Sequence, residues 1–210
     1  MKDVREEYQA EQLDELHMLP DPLDQARLWV DQAIAAELPL ANAMTLATAD
    51  SQGRPSCRTV LLKGIEDGGF VFFTHYDSRK GREIEANPHV ALTMLWEPFS
   101  RQITITGEAR KLSREASVAY FASRPRGSQL SAAVSPQSRP VPSRDWLEAE
   151  QRALADKIGE GEIPMPMQWG GYSIVPREIQ FWHGRPDRLH DRFCYLRGVD
   201  GSWHRERLAP

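Results

Sequence analysis

The spacing of hydrophobic positions changes along this 210-residue chain. Near its beginning, Asp21 can cap a helix and Pro22 suits the first helical position. Apolar residues then recur every three or four positions to about Glu37, as on one face of a helix. From Ala43 onward the period is mostly two, which is typical of strands. The pattern therefore predicts one amphipathic helix followed by a β-rich fold.

The alternating segments are short and are separated by turn residues. We predict strands at 43–49, 56–65, 70–74, 90–96, 101–112, 171–175, 178–182, 192–197 and 203–208. Short turns join the first three, which indicates an antiparallel meander. Gly107 lies inside the long fifth strand and predicts a bulge or a bend there.

Three further helices are predicted, each beginning at a serine that can cap it: Ser78 to Asn87, Ser113 to about Ser123, and Ser143 to about Lys157. Residues 126–142 are expected to form a loop with one turn of helix, and 160–168 a proline-rich linker. The whole pattern predicts an α+β protein, an antiparallel β-barrel with flanking helices. We expect a single domain at 20–210 and a mobile arm at 1–19.

Composition narrows the class of protein. Hydrophobic residues make up 40% and charged residues 27%, as in an ordinary soluble domain. The net charge of −4 and pI of about 5.9 disfavour nucleic acid or an anionic membrane as partner. No apolar run approaches the ~20 residues of a membrane helix, and the polar start has no signal-peptide pattern. Cys57 and Cys194 form neither a disulfide framework nor a metal motif. We expect a cytoplasmic protein without a metal site.

Positive charge is nevertheless concentrated at a few places. If residues 188–192 are extended, Arg188, His190 and Arg192 point to one side. Two cations flanking an imidazole suit an anion site with a titratable group at its centre. The alternative is a solvated strand edge with a histidine.

The pair Arg58 and Lys63 raises a geometric problem. Five positions apart in a regular strand, the two side chains face opposite sides. They can serve one site only if Lys63 lies past the strand end or if the site spans two subunits. The alternative is an apolar strand with charged ends.

Two more clusters have phosphate-binding chemistry. Arg79 and Lys80 follow Ser78 at a helix N-terminus, where free N–H groups and the helix dipole favour an anion. Tyr120, Arg124 and Ser128 would share one face if the helix continued past Pro125. A surface cluster is the alternative for both. Together the clusters indicate one or two phosphorylated ligands. The chain has no Rossmann or Walker glycine motif.

The order of these motifs resembles a known family. The segments that carry the resemblance are R-T-V-L-L-K, F-F-T-H-Y-D-S-R-K, R-Q, Y-F-A-S-R-P-R-G-S-Q, V-S-P-Q-S, Q-F-W, R-L-H-D-R and R-L-A-P. From about Arg5 to Pro210 the chain is similar to pyridoxamine 5′-phosphate oxidases. The resemblance implies a homodimeric split β-barrel with FMN at the subunit interface. It also implies oxidation of pyridoxamine or pyridoxine 5′-phosphate to pyridoxal 5′-phosphate, with O2 as electron acceptor and H2O2 as product.

The resemblance also assigns residues by motif. The positions that match FMN contacts are Arg58, Thr59, Val60, Leu61, Leu62, Lys63, Phe73, Thr74, Arg79, Lys80, Gln102, Gln137, Ser138, Trp182 and Arg192. The positions that match substrate contacts are Arg5, Tyr8, Lys63, Tyr120, Arg124, Ser128, Arg188 and His190. Of these, Arg188 and His190 are the candidate catalytic residues. Phe73 stands where the family often has tyrosine, and a backbone contact would leave its role unchanged.

Two other functions compete with this interpretation. A phenazine-biosynthesis oxidase would share the fold and the FMN positions, but such relatives depart at the substrate-phosphate positions, which are all present here. A split-barrel protein could also bind flavin or pyridoxal phosphate without turnover, against which the intact R-L-H motif argues. Measuring turnover separates the second from an enzyme.

Overall fold

The computed structural model describes residues 13–210. The predicted site residues Arg5 and Tyr8 lie outside the described part. The helices are α1 (Pro22–Ala35), α2 (Arg79–Ala86), α3 (Arg114–Ser123), α4 (Arg126–Val134) and α5 (Arg144–Ile158). The strands are β1 (Ala43–Ala49), β2 (Pro55–Leu61), β3 (Gly64–Glu66), β4 (Gly69–His75), β5 (His89–Trp96), β6 (Arg101–Lys111), β7 (Trp169–His183), β8 (Asp191–Arg197) and β9 (Trp203–Arg207).

One nine-stranded antiparallel sheet organises the molecule. Its order is β2-β1-β5-β6-β7-β4-β3, and β8 extends from β7 to pair with β9. The 15-residue β7 pairs along one edge with β6, and along the other first with β4 and then with β8. This arrangement confirms the predicted antiparallel α+β fold with flanking helices.

The core lies on the inner face of the curved sheet. Alternate residues such as Ile103, Ile105 and Phe181 are fully buried, as the period of two requires. Helix α1 covers this face, and the Trp29 ring meets Phe181 edge-on at 5.2 Å. Asp21 caps α1 by accepting a hydrogen bond from the Leu23 amide at 2.7 Å. The predicted helix and its start are therefore confirmed.

Residues 13–19 pack against the last two strands. Met18 is buried, its carbonyl accepts from Arg205, and the Leu19 carbonyl accepts from the Tyr195 hydroxyl at 2.7 Å. The mobility expected for residues 1–19 stays a prediction, since most of that arm lies outside the described range.

Two predicted segments differ from the secondary structure that is observed. The strand predicted at 56–65 ends at Leu61 and resumes as β3, because the Leu62 amide bonds back to Asn42 and the Lys63 amide turns toward Val71. Residues 126–142 were predicted as a loop with one helical turn, but 126–134 form α4. Burial of Leu130 and Ala132 provides tertiary packing that this weakly patterned segment does not reveal.

The strands predicted at 171–175 and 178–182 are one continuous strand. Pro176, which cannot donate to the ladder, lies opposite Gly107, and Thr106 lies opposite Glu178, so Arg177 is the extra residue of a bulge. The bulge predicted at Gly107 is thus confirmed, and the interruption predicted in β7 is wrong.

Gly107 should not tolerate a side chain. A Cβ there would lie 2.3 Å from the Val175 carbonyl oxygen and 2.9 Å from the Pro176 Cα. Because both are backbone atoms, we expect Gly107→Ala to lower the free energy of unfolding by about 2 kcal/mol, measured by urea denaturation. Gly127→Ala is the control, since its Cβ meets nothing within 4 Å and helix propensity favours alanine by about 0.5–1 kcal/mol. Equal stability of Gly107→Ala and wild type would contradict the tight bulge.

Candidate active site

A cavity of about 540 Å³ opens between β2, the end of β4 and helices α3 and α4. The predicted site residues that line it are Arg58, Thr59, Val60, Leu61, Lys63, Phe73, Thr74, Lys80, Tyr120, Arg124, Ser128 and Gln137. Residues from three of the predicted cationic clusters therefore line one cavity within a single chain.

Arg58 and Lys63 reach the same cavity because β2 ends between them. Arg58 lies inside β2, whereas Lys63 follows Leu61, the last residue of that strand. The first of the two geometric alternatives, with Lys63 past the strand end, is the one that the structure adopts. Leu62 turns into the hydrophobic core instead, with 5% of its surface exposed.

A buried lysine marks one end of the cavity. Lys80, 8% exposed, donates to the Thr74 hydroxyl at 3.1 Å and to Gln137 Oε1 at 2.8 Å. Burial, aided by the charge of Arg58, lowers the pKa of Lys80 to about 8. Lys80 lies in the first turn of α2, the helix predicted after Ser78. The Ser78 hydroxyl caps this helix by accepting a hydrogen bond from the Gly81 amide. This donor set suits a phosphate.

An aromatic wall forms the other end. The Phe73 and Tyr120 rings stack with centroids 3.8 Å apart, and Trp169 continues the stack 5.5 Å from Phe73. Lys63 Nζ lies 6.0 Å from the Tyr120 centroid, and the Arg124 guanidinium 4.9 Å from that of Trp169. The wall holds two cations beside the cavity.

Arg124 has unused hydrogen-bonding capacity. Its Nη1 is buried and has no hydrogen-bond partner within residues 13–210, and burial lowers its pKa despite the opposing effect of Tyr120. The break at Arg124 and Pro125 is as predicted, yet α4 begins at the next residue and brings Ser128 to the same cavity as Tyr120. A buried unpaired guanidinium N–H is costly, so the site fits an anion.

A second group lies on the outer face of the sheet. Gln102, Trp182 and Arg192 are directly opposite one another on β6, β7 and β8. Arg192 donates to Gln180 Oε1 at 2.9 Å and to the Ala209 carbonyl at 3.1 Å. None of the three lines the cavity of this chain. The row is a polar surface next to the loop that carries Arg188 and His190.

That loop is not extended, so the alternation predicted for residues 188–192 is wrong. Pro186–Arg188 form a 3-10 turn in which Asp187 and Arg188 have positive φ. The His190 ring packs 4.7 Å from Trp182, and its Nδ1 accepts from the Arg185 amide at 3.0 Å. Burial and the charge of Arg188 lower the pKa of His190, against the effect of Asp191. A neutral imidazole therefore carries its proton on Nε2.

Two other predicted residues stand at the margin of the cavity. Arg79 and Ser138 are exposed and do not line it, although their neighbours Lys80 and Gln137 do. Lining residues that were not predicted are Trp169, His75, Pro125, Ser131, Ala132 and Ser135. Trp169 follows a proline-rich segment and His75 follows Thr74 directly. Neither position has a spacing that would have identified it.

The described residues contain neither a membrane-spanning helix nor a cluster of metal ligands. Within 13–210, no helix is both long and apolar enough to span a membrane. In the same range, no three His, Cys, Asp or Glu side chains are grouped to hold a metal ion.

Comparison with known proteins identifies the family. Residues 30–156 match the model for pyridoxamine 5′-phosphate oxidase, and residues 169–210 match the pyridoxine 5′-phosphate oxidase C-terminal dimerisation region. Pyridoxine/pyridoxamine 5′-phosphate oxidases from Alcanivorax borkumensis and Salinibacter ruber are 64% and 50% identical to this chain. The match covers 100% of this chain in both cases, and 100% and 99% of the two relatives.

A solved structure gives the same fold. PhzG from Burkholderia lata, in complex with tetrahydrophenazine-1-carboxylic acid, superimposes with a TM-score of 0.89 at 30% identity, covering 96% of this chain and 99% of that one. The full-length match to relatives at up to 64% identity is stronger evidence for the family. The chain belongs to the pyridoxamine 5′-phosphate oxidase family of oxidoreductases.

Proposed function

We propose that this protein oxidises pyridoxamine and pyridoxine 5′-phosphates to pyridoxal 5′-phosphate, with FMN as cofactor and O2 as electron acceptor. The observation that carries the proposal is the presence of two phosphate-type donor sets in one cavity, at Lys80 and at Arg124. One set would hold the cofactor phosphate and the other the substrate phosphate. We also propose a cytoplasmic location.

The first donor set fits the phosphate of FMN. Lys80, Thr74 and Gln137 form a hydrogen-bonded group with Arg58 alongside, and Arg79 and Ser138 flank it. When bound, FMN supplies the two-electron acceptor, which O2 reoxidises with formation of H2O2. The protein contributes position and electrostatics, because Arg58 lies on strand β2, Thr74 on strand β4 and Lys80 on helix α2.

The second donor set fits the substrate phosphate. Lys63 and Arg124 supply charge, and Tyr120 and Ser128 supply hydroxyls. Arg124 Nη1, which no residue of the described range 13–210 engages, supplies a buried donor. Oxidation of the alcohol by O2 yields the aldehyde and H2O2, while oxidation of the amine also consumes water and releases ammonia.

A second copy of the chain would complete the site. Gln102, Trp182 and Arg192 form a polar row that does not line the cavity of its own chain. The last two lie in the segment that matches a dimerisation region. We therefore propose a homodimer in which this row faces the cofactor of the other subunit.

Arg188 and His190 would act on the substrate from the same loop. The neutral His190, held by the Arg185 amide through Nδ1, can donate from Nε2, and Arg188 adds a fixed charge. We assign both residues the roles of orienting the substrate and adjusting its protonation.

The arm that includes Arg5 and Tyr8 is proposed to close over the site. The Leu13 amide donates to Asp191 Oδ2 at 3.2 Å, so residue 13 of the arm contacts the residue that follows His190.

An anaerobic titration tests the function. The purified protein should show a flavin spectrum that bleaches when pyridoxamine 5′-phosphate is added without O2, and that returns with H2O2 when air is admitted. Flavin that does not bleach would favour the phenazine-type oxidase suggested by the likeness to PhzG, or a protein that only binds flavin. Absence of flavin after reconstitution with FMN would contradict the proposal.

A further inference from the structure

Glu83 is a buried carboxylate behind the cavity that no motif of the sequence singled out. It lies on α2 with 7% of its surface exposed. Its Oε2 accepts hydrogen bonds from the Thr48 hydroxyl, from the Ser56 hydroxyl at 2.6 Å and from Arg58 Nη2 at 3.2 Å. Its Oε1 accepts from Arg79 Nε at 2.8 Å. One carboxylate therefore holds two arginines that belong to the predicted cofactor site.

The carboxylate is ionised throughout the physiological range. Burial by itself would raise its pKa, but hydrogen bonds from Ser56, Thr48, Arg79 and Arg58 outweigh burial and lower the pKa of Glu83 to about 2. A buried charge needs such partners to be tolerated. The four donors are present in the folded chain, so the pairing precedes any ligand.

The pairing fixes the direction of each guanidinium. Arg58 also donates to the Thr48 hydroxyl at 2.6 Å and to the Leu46 carbonyl at 3.3 Å, so its head is held on several sides. Within residues 13–210 the Arg79 side chain makes no other hydrogen bond or ion pair and is 62% exposed, so Glu83 is its main constraint. Arginine that is ordered before binding loses less side-chain entropy when an anion arrives.

The charge balance also matches a phosphate. Arg58, Arg79 and Lys80 supply three positive charges and Glu83 one negative charge, which leaves two. A phosphate monoester carries nearly two negative charges at pH 7. The cluster can thus neutralise the ligand, while Glu83 compensates one of the three positive charges before the ligand binds.

We propose that Glu83 is a positioning residue for the cofactor phosphate, acting by holding Arg58 and Arg79 in the orientation that receives it. This inference rests on the proposed use of FMN. The charge of Glu83 taken alone opposes an anion. The gain from orienting the two arginines must therefore outweigh this repulsion.

Comparing the binding of FMN with that of riboflavin, which lacks the phosphate, tests whether Glu83 acts through the phosphate. Quenching of flavin fluorescence by the apoprotein should give an FMN Kd about tenfold higher for Glu83→Gln than for wild type, as expected if the hydrogen bonds from less well oriented arginines to the phosphate are weakened but not lost. The riboflavin Kd should change less than about twofold. Glu85→Gln is the matched control, since Glu85 lies on the same helix and pairs with Lys111 on the surface at 2.6 Å.

A double-mutant cycle gives a second readout. If Glu83 acts through Arg79, then Arg79→Ala should raise the FMN Kd less in the Glu83→Gln background than in wild type. Glu83→Asp keeps the charge and serves if Glu83→Gln does not fold, because the shorter side chain cannot reach both arginines and should also weaken FMN binding. Unchanged or tighter FMN binding by the folded variants would overturn the inference. Failure of wild type to bind FMN would instead overturn the proposed function.

Discussion

Replacing Arg124 by alanine should lower kcat/KM for pyridoxamine 5′-phosphate by about 100-fold, which corresponds to ~3 kcal/mol of lost charge-assisted hydrogen bonding. Arg124 is half-buried over Trp169, and its buried Nη1 has no partner within residues 13–210. A bound phosphate would supply that partner. Steady-state rates of H2O2 formation at varied substrate concentration measure the effect.

The loss should depend on the phosphate. With pyridoxamine, which has no phosphate, wild type and Arg124→Ala should differ by less than about threefold. With pyridoxamine 5′-phosphate, kcat/KM of Arg124→Lys should lie between the values for wild type and Arg124→Ala, since lysine keeps the charge but not the planar fork of donors. Arg126→Ala is the control, because Arg126 points away from the cavity to the carbonyls of Gly159 and Gly161. An equal loss with both substrates would refute a phosphate role for Arg124.

Local signals in the sequence were sufficient for most of the fold. Asp21, Ser78, Ser113 and Ser143 each cap the helix that was predicted from them, because a cap is a contact within a few residues. Helix α4 was missed for the opposite reason. Its stability depends on burying Leu130 and Ala132 against distant residues, which a local pattern does not record.

The candidate site divides in the same way. Lys80 lies at the start of a helix and Thr74 near the end of a strand, and the sequence pattern locates both elements. The two side chains are hydrogen-bonded in the structure. The contributions of Trp169, His75 and Glu83 depend on which distant elements the fold brings together, with Glu83 contacting residues 25 or more positions away on β1 and β2. The alternation assumed for residues 188–192 failed because positive φ at Asp187 and Arg188 turns the chain.

Lys80 should make FMN binding depend on pH. Burial and the charge of Arg58 lower its pKa to about 8, so the apoprotein holds a cation at this position below pH 8 and loses it above. A phosphate monoester is already a dianion above pH 7. Binding above pH 8 must therefore restore a proton to Lys80, and the FMN Kd should rise by up to about tenfold for each pH unit between 8 and 9.5.

Lys80→Met should weaken FMN binding and remove its pH dependence. The side chain is similar in length and apolar, so the buried position tolerates it, but one charge-assisted hydrogen bond to the phosphate is lost. We expect the FMN Kd at pH 7 to increase about 100-fold and to stay nearly constant from pH 8 to 9.5. Lys157→Met, on the exposed last turn of α5, should behave as wild type. If the Kd of Lys80→Met still rose tenfold per pH unit, another group would be titrating, and Lys80 would not be the cation that the phosphate requires.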